Sequence, residues 1–98
     1  MTAGSRAEGE KIARGLLRSR VAACINVVPG VTSLYWWKGK QERAREVLLV
    51  IKTSAARIPQ LIREVKRLHS YTVPEVLALP VLAGNPEYLK WVREETRG

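Results

Sequence analysis

The stretch VAACINVVPGVTSLYWW, residues 21–37, decides the fold class together with VLLVI at residues 47–51. Both are rich in β-branched side chains, and the first adds aromatic ones, which favours strands. Pro29-Gly30 interrupts the first strand and predicts a bulge or bend, because Pro donates no ladder hydrogen bond and Gly permits unusual dihedral angles. Lys38-Gly39 predicts a turn, after which the chain returns as a strand at residues 43–53. The sequence therefore predicts a long β-hairpin.

Three amphipathic helices flank this hairpin. Ser5 and Glu8 form an S-x-x-E capping box at the start of a helix over residues 5–18. Ser54 is the predicted N-cap of a second helix, and Asn85-Pro86 predicts the start of a third. Apolar residues recur at helical spacing in each. In the second helix, where the pattern is strongest, they are Ile58, Leu61, Ile62, Val65 and Leu68.

One more strand is predicted at residues 73–82, VPEVLALPVL. The order is then helix, strand, strand, helix, strand, helix. After an initial strand, this order is the split β-α-β arrangement of ferredoxin-like domains. We predict a single α+β domain over residues 1–98, a ferredoxin-like sandwich with a long β-hairpin and a C-terminal helix. Its first strand is truncated, because only residues 1–3 precede the first capping residue.

The composition excludes several classes of protein. A chain of 98 residues has room for one core, and its single cysteine allows no intrachain disulfide. No apolar run approaches the roughly 18 residues of a membrane span, and no signal peptide opens the chain, so we expect a cytoplasmic protein without membrane contact. Its net charge of +8 is spread along the chain rather than concentrated. Nucleic-acid binding is therefore less favoured than a solvated basic surface.

Several motifs, in order and spacing, resemble the CutA family of divalent-cation tolerance proteins. They are RVAACINVVPGVTSLYWWKGK, EVLLVIKT, LHSYTVPEVLALPV and GNPEYLKWV. The resemblance implies a ferredoxin-like fold, a homotrimer held together by sheet pairing between subunits, and a cytosolic, non-enzymatic role linked to copper or another divalent cation.

The chain departs from the family pattern in three places. It enters the first strand only at the strand's last residues, which leads us to expect either a natural start upstream of Met1 or a sheet that tolerates a stub. Ser70 and Thr72 stand where the family usually has Pro and Glu. Arg43 and Arg45 follow the hairpin turn, where the family usually has acids, and this lowers the attraction for cations.

His69, Cys24 and Glu75 are the candidate metal ligands. Imidazole nitrogen and thiolate sulfur suit copper, and the resemblance associates copper with this histidine position. Each residue can also have a purely structural role, and we favour that role for His69 and Cys24. His69 would bind the last carbonyls of the second helix, Cys24 would be a small buried apolar residue, and Glu75 would pair with one of the many cations.

The aromatic run Tyr35-Trp36-Trp37 is the candidate trimer interface. In a strand Trp36 faces away from its two neighbours, so one face can pack on the core while the other meets a partner subunit. An exposed aromatic patch of this size is unusual on a monomer, and burial by trimerisation is favoured. A small-ligand cleft built from Trp37, Tyr71 and Glu75 is the weaker alternative.

No catalytic constellation accompanies these residues. Glu75 has no Ser/His pair or second acid beside it in the sequence pattern, and no Gly-rich phosphate loop occurs. We therefore predict a non-enzymatic trimer that binds or responds to divalent metal ions, copper foremost, with no cofactor required. The alternatives are a small-ligand sensing trimer, similar to PII-type signalling proteins, and a polyanion-binding module driven by charge.

Overall fold

A computed structural model describes residues 1–97. The elements in chain order are β1 (Thr2–Ala3), α1 (Arg6–Arg18), β2 (Cys24–Trp37), β3 (Lys40–Lys52), a 3₁₀ turn (Ala55–Arg57), α2 (Ile58–Leu68) and α3 (Pro86–Glu95). The three strands form one antiparallel sheet in the order β1-β3-β2, and the helices lie outside it. This confirms the α+β class and the long hairpin, which helps to extend the molecule to 44 Å.

The hairpin has the turn and the bulge that the sequence predicts. Lys38 and Gly39 both have positive φ angles, 50° and 78°, as a two-residue turn with the twist of its strands requires. Pro29-Gly30 adds one residue to β2, because Val28 is paired with Leu48 while Val31 is paired with Glu46. Gly30 has a φ of 78°, so the bulge uses a conformation that glycine adopts without strain.

The bulge changes which residues of β2 share a face. Past it, Tyr35 and Trp37 are paired with Glu42 and Lys40, on the sheet face opposite the helices, and Trp36 is on the other face. This confirms the opposite orientations predicted for the aromatic run. All three side chains are exposed in the single chain, because this part of the hairpin extends past the helices.

The core lies between the sheet and helices α1 and α2. Ile12, Leu16, Leu49 and Val65 are fully buried there. Helix α1 crosses the sheet closely at Gly9, where an added Cβ would lie 2.9 Å from Cγ2 of Val47. On the apolar face of α1, Ile12, Ala13 and Leu16 are buried, whereas Leu17 is partly exposed.

The predicted strand at residues 73–82 is wrong for the isolated chain. Among residues 1–97 the segment belongs to no ladder, and most of its apolar side chains face solvent, although Val76 packs against the core. Leu79 is 88% exposed and Leu82 is 96% exposed. The local sequence favours a strand, but a strand needs a partner edge. In a ferredoxin-like sheet that neighbour is the first strand, which here has two residues and is paired with β3 only.

Candidate functional site

His69 joins the end of helix α2 to strand β1. Its backbone N–H caps the helix by donating to the carbonyl oxygen of Val65 at 2.8 Å. Its imidazole is completely buried, with Nε2 2.8 Å from the carbonyl oxygen of Thr2. The carbonyl that the ring binds therefore belongs to β1, and not to the last turn of α2 as the sequence suggested.

Both nitrogens of the His69 ring have protein partners. Nδ1 accepts the backbone N–H of Tyr71 at 3.0 Å, and a carbonyl oxygen faces Nε2. A carbonyl only accepts hydrogen bonds, so the neutral ring carries its proton on Nε2 and donates it to Thr2. Neither nitrogen offers a free lone pair to a metal ion. In the folded chain the histidine therefore holds two segments together.

Glu8 completes the surroundings of this histidine. Its carboxylate accepts the backbone N–H of Ser70 at 2.8 Å and that of Gly4 at 3.3 Å, and it lies 3.9 Å from Nδ1 of His69. Desolvation opposes its ionisation, but the hydrogen bonds from Ser70 and Gly4 outweigh this and lower the pKa of Glu8. The capping box pointed to Glu8 as a helix cap. It gave no indication of the Ser70 contact.

Tyr71 and Glu46 form a second contact of the same segment with the sheet. The Tyr71 hydroxyl donates to Oε2 of Glu46 at 2.8 Å, and the Tyr71 and His69 rings lie 4.4 Å apart. Desolvation and then the Glu46 carboxylate raise the pKa of Tyr71 to about 12. Glu46 is buried. Its role was not predicted, because the sequence places it only as the residue before VLLVI.

Glu75 is exposed and is not on a strand, contrary to the sequence prediction. Its charge acts on the amino group of Met1, whose pKa is lowered by burial and partly restored by Glu75. That amino group also donates to the carbonyl oxygen of Leu49 at 3.0 Å. Glu75 is thus a solvent-accessible carboxylate beside the N-terminal end of the sheet.

Cys24 is the first residue of β2 and is half-buried. Its sulfur lies 3.9 Å from Nζ of Lys52, the residue opposite it on β3, and Lys52 also donates to Oδ1 of Asn26. Desolvation and the Cys24 thiol raise the pKa of Tyr88 on helix α3. A lysine ammonium at this distance opposes the approach of a metal cation to the thiol.

The structure does not bring Cys24 and His69 together. Thr2, which His69 binds, is paired with Leu48, whereas Cys24 is paired with Lys52 four residues further along β3. Four residues span about 13 Å along a strand, and β1 and β2 lie about 10 Å apart on opposite sides of β3. The two side chains therefore cannot share one ion within a chain. Within residues 1–97, no group of three or more His, Cys, Asp or Glu side chains is arranged to hold a metal.

The proposed ligand cleft is also divided within one chain. Trp37 is paired with Lys40, six residues and about 20 Å along β3 from Glu46, which Tyr71 binds. Lys38 lies over the Trp37 ring, with its Nζ 6.0 Å from the ring centroid. A cleft built from Trp37, Tyr71 and Glu75 stays a prediction.

Comparison with known proteins identifies the family. The family model described as CutA1 divalent ion tolerance protein matches residues 1–95. The chain belongs to this family. It is 48% identical over 96 residues to the divalent-cation tolerance protein CutA of Thermus thermophilus, covering 98% of this chain and 93% of that protein. It is 42% identical to the chloroplastic protein CutA 1 of Oryza sativa over 97 residues, covering 99% of this chain and 55% of the longer rice protein.

Solved structures of the family share the fold. The structure described as the periplasmic divalent cation tolerance protein CutA from Archaeoglobus fulgidus has a TM-score of 0.94 and 41% identity, covering 98% of this chain and 93% of that one. The family thus confirms a link to divalent-cation tolerance. The names of relatives include chloroplastic and periplasmic proteins, and cytoplasmic location stays a prediction. Over residues 1–97, no helix is long and apolar enough to span a bilayer.

Proposed function

We propose that this chain is a non-enzymatic protein of divalent-metal tolerance that works as a homotrimer and binds copper or another divalent cation between its subunits. The proposal rests on membership of the family and on one observation, the uncovered segment at residues 73–82. The number of subunits is the one that the resemblance to the family implies.

The uncovered segment has the properties of a strand that pairs with another chain. Its backbone groups have no ladder partners among residues 1–97, and it carries exposed Leu77, Leu79 and Leu82. A row of unpaired amides and carbonyls beside apolar side chains favours pairing between chains. β2 is the last strand of the sheet, so its outer edge has no partner strand among residues 1–97, and it offers a matching edge on a second copy.

The hairpin carries a second uncovered surface. Leu34 and Trp36 are largely exposed on one of its faces, and Tyr35 and Trp37 are partly exposed on the other. Contiguous apolar patches of this kind mark interaction sites. A partner that covers both faces would remove these side chains from water, and a second and third copy of the chain supply such cover.

Light scattering with size-exclusion chromatography tests the assembly. We expect a mass near 33 kDa, three times the 11.0 kDa of one chain. Leu79→Glu places a charge on the uncovered segment and should reduce the mass to that of one chain. Leu17→Glu, the matched change at an exposed position of α1, should leave it unchanged. A wild-type mass of 11 kDa, or the same mass for both variants, would overturn the trimer.

Isothermal titration with Cu²⁺ tests the metal part separately. We expect saturable binding that Glu75→Gln weakens, because Glu75 is the one of the three proposed ligands that is exposed and that no lysine ammonium contacts. Glu10→Gln removes an equal charge from an exposed position of α1 and serves as the control. Absence of saturable binding, or an equal loss in both variants, would contradict metal binding at Glu75 even if the trimer is confirmed.

A further inference from the structure

An open cavity of about 410 Å³ lies between the start of helix α2 and the end of helix α3. Its lining residues are Ser54, Ala56, Arg57, Arg93, Thr96 and Arg97. Three of the six are arginines and none is an acid. The remaining polar atoms in its wall are two hydroxyl groups and backbone groups, so the cavity is lined by cations and neutral hydrogen-bonding groups.

Arg57 is held in place at this cavity by two hydrogen bonds. Its Nε donates to the carbonyl oxygen of Thr96 at 2.6 Å, and its Nη1 donates to Oε1 of Gln60 at 2.8 Å. Its Nη2 has no partner among residues 1–97. A guanidinium fixed on one side presents its remaining N–H groups at low entropic cost, and this geometry suits an anion with several oxygens.

The charge of the other two arginines is also uncompensated within residues 1–97. The acids nearest in sequence are engaged elsewhere: Glu95 pairs with Arg20 at 2.7 Å, and Glu94 faces Lys90 at 3.8 Å. Arg93 and Arg97 form no ion pair with any described residue. Three like charges around one cavity repel each other, and a bound anion would relieve that repulsion.

The start of the second helix adds backbone donors to the same wall. Its 3₁₀ turn continues directly into α2, because Ile58 is already helical, so the first amides belong to one helix over residues 55–68. Ser54 precedes it but caps nothing, since its hydroxyl bonds to that of Thr96 at 2.6 Å. The amides of Ala55 and Ala56 have no intrahelical acceptor and carry the positive end of the helix dipole.

We propose that this cavity is a binding site for a phosphate group, held by Arg57, Arg93 and Arg97 and by the first amides of the second helix. The phosphate can be free inorganic phosphate or part of a small phosphorylated molecule. Both present the same tetrahedral oxyanion to the guanidinium groups. The site shares none of the residues proposed for metal binding, so it does not depend on the proposed function.

Titration of the full chain with inorganic phosphate at constant ionic strength, followed by NMR, tests the site. We expect saturable shifts of the Ala55 and Ala56 amide resonances and a higher melting temperature in phosphate than in chloride, because a ligand of the folded state stabilises it. The double variant R93Q/R97Q removes two charges but no hydrogen bond of the described fold, and it should weaken phosphate at least tenfold. R14Q/R63Q removes two exposed charges elsewhere and should change the affinity less than twofold.

Three results would overturn the site: an equal loss in both double variants, phosphate acting no more strongly than chloride, or shifts that avoid Ala55 and Ala56. A chain extended by two glycines after Gly98 controls for the terminal carboxylate. Saturable phosphate binding that appears only in the extended chain would show that the terminus fills the cavity, which also overturns the proposal.

A parallel titration with adenosine monophosphate distinguishes a small phosphorylated molecule from free inorganic phosphate as the ligand. If adenosine monophosphate binds more tightly than inorganic phosphate, the ligand is a phosphorylated molecule. If it binds more weakly, the ligand is inorganic phosphate.

Discussion

The two halves of the sheet face different surroundings in a single chain. Near β1, the sheet is covered by α1 and α2, and Val47 and Leu49 are buried against them. Past the bulge, the same two strands continue without helices, and Leu34 and Trp36 face solvent. Both halves have strand-forming sequences with large apolar side chains. The difference shows that the local sequence determines where a strand forms. Burial of the strand by the helices determines how much each of its side chains contributes to stability.

The largest change in the free energy of unfolding should come from truncating a buried leucine in the covered half. An exposed leucine past the bulge provides the comparison. Leu16→Ala removes a fully buried side chain of α1 and should lower the free energy of unfolding by about 3 kcal/mol through lost burial and the cavity left behind. Leu34→Ala, at a position 75% exposed, should cost less than about 0.5 kcal/mol in the monomeric chain. Urea denaturation of both variants in the monomeric Leu79→Glu background measures the difference. Equal costs would show that the exposed half is covered even in the monomer.

A smaller effect should come from adding one methyl group where α1 crosses the sheet. Gly9→Ala places a Cβ 2.9 Å from Cγ2 of Val47. Alanine favours helix over glycine by about 1 kcal/mol, but overpacking a core costs about 1–3 kcal/mol. We expect a net loss of about 1 kcal/mol in thermal or urea unfolding. A stabilised Gly9→Ala would show that the helix can lift from the sheet without cost.

An effect of similar size to that of Gly9→Ala should come from Tyr71, at the edge of the covered half. Tyr71→Phe removes the hydroxyl that donates to Glu46 and should cost about 1 kcal/mol at pH 7, since the buried carboxylate loses a partner. The pKa of Tyr71 is raised in the folded state to about 12. Its contribution is therefore fully present below the unfolded pKa of about 10 and is lost as the pH rises from there towards 12.

Urea unfolding of wild type and Tyr71→Phe across that range measures this loss. The difference between the two proteins should shrink between pH 10 and 12. A difference that stays constant over this interval would mean that the hydroxyl does not interact with Glu46 in solution.

The candidate site was predictable only in part. His69 and Tyr71 follow from their motif, and Glu8 follows from the capping box. The sequence does not reveal that both ring nitrogens of His69 are engaged, because one partner, the Thr2 carbonyl, is 67 residues away in the chain. Backbone carbonyls and amides are the same at every position, so no residue pattern marks them as partners.

The sequence by itself determined the helices, the hairpin turn, the bulge and the opposite faces of Trp36 and Trp37, because these depend on neighbours a few residues apart. The tertiary structure alone decided three other features: that residues 73–82 have no strand partner, that Cys24 and His69 are separated, and that three arginines share one cavity. Each of these depends on how distant segments pack, and packing is set by the sum of many weak contacts across the chain.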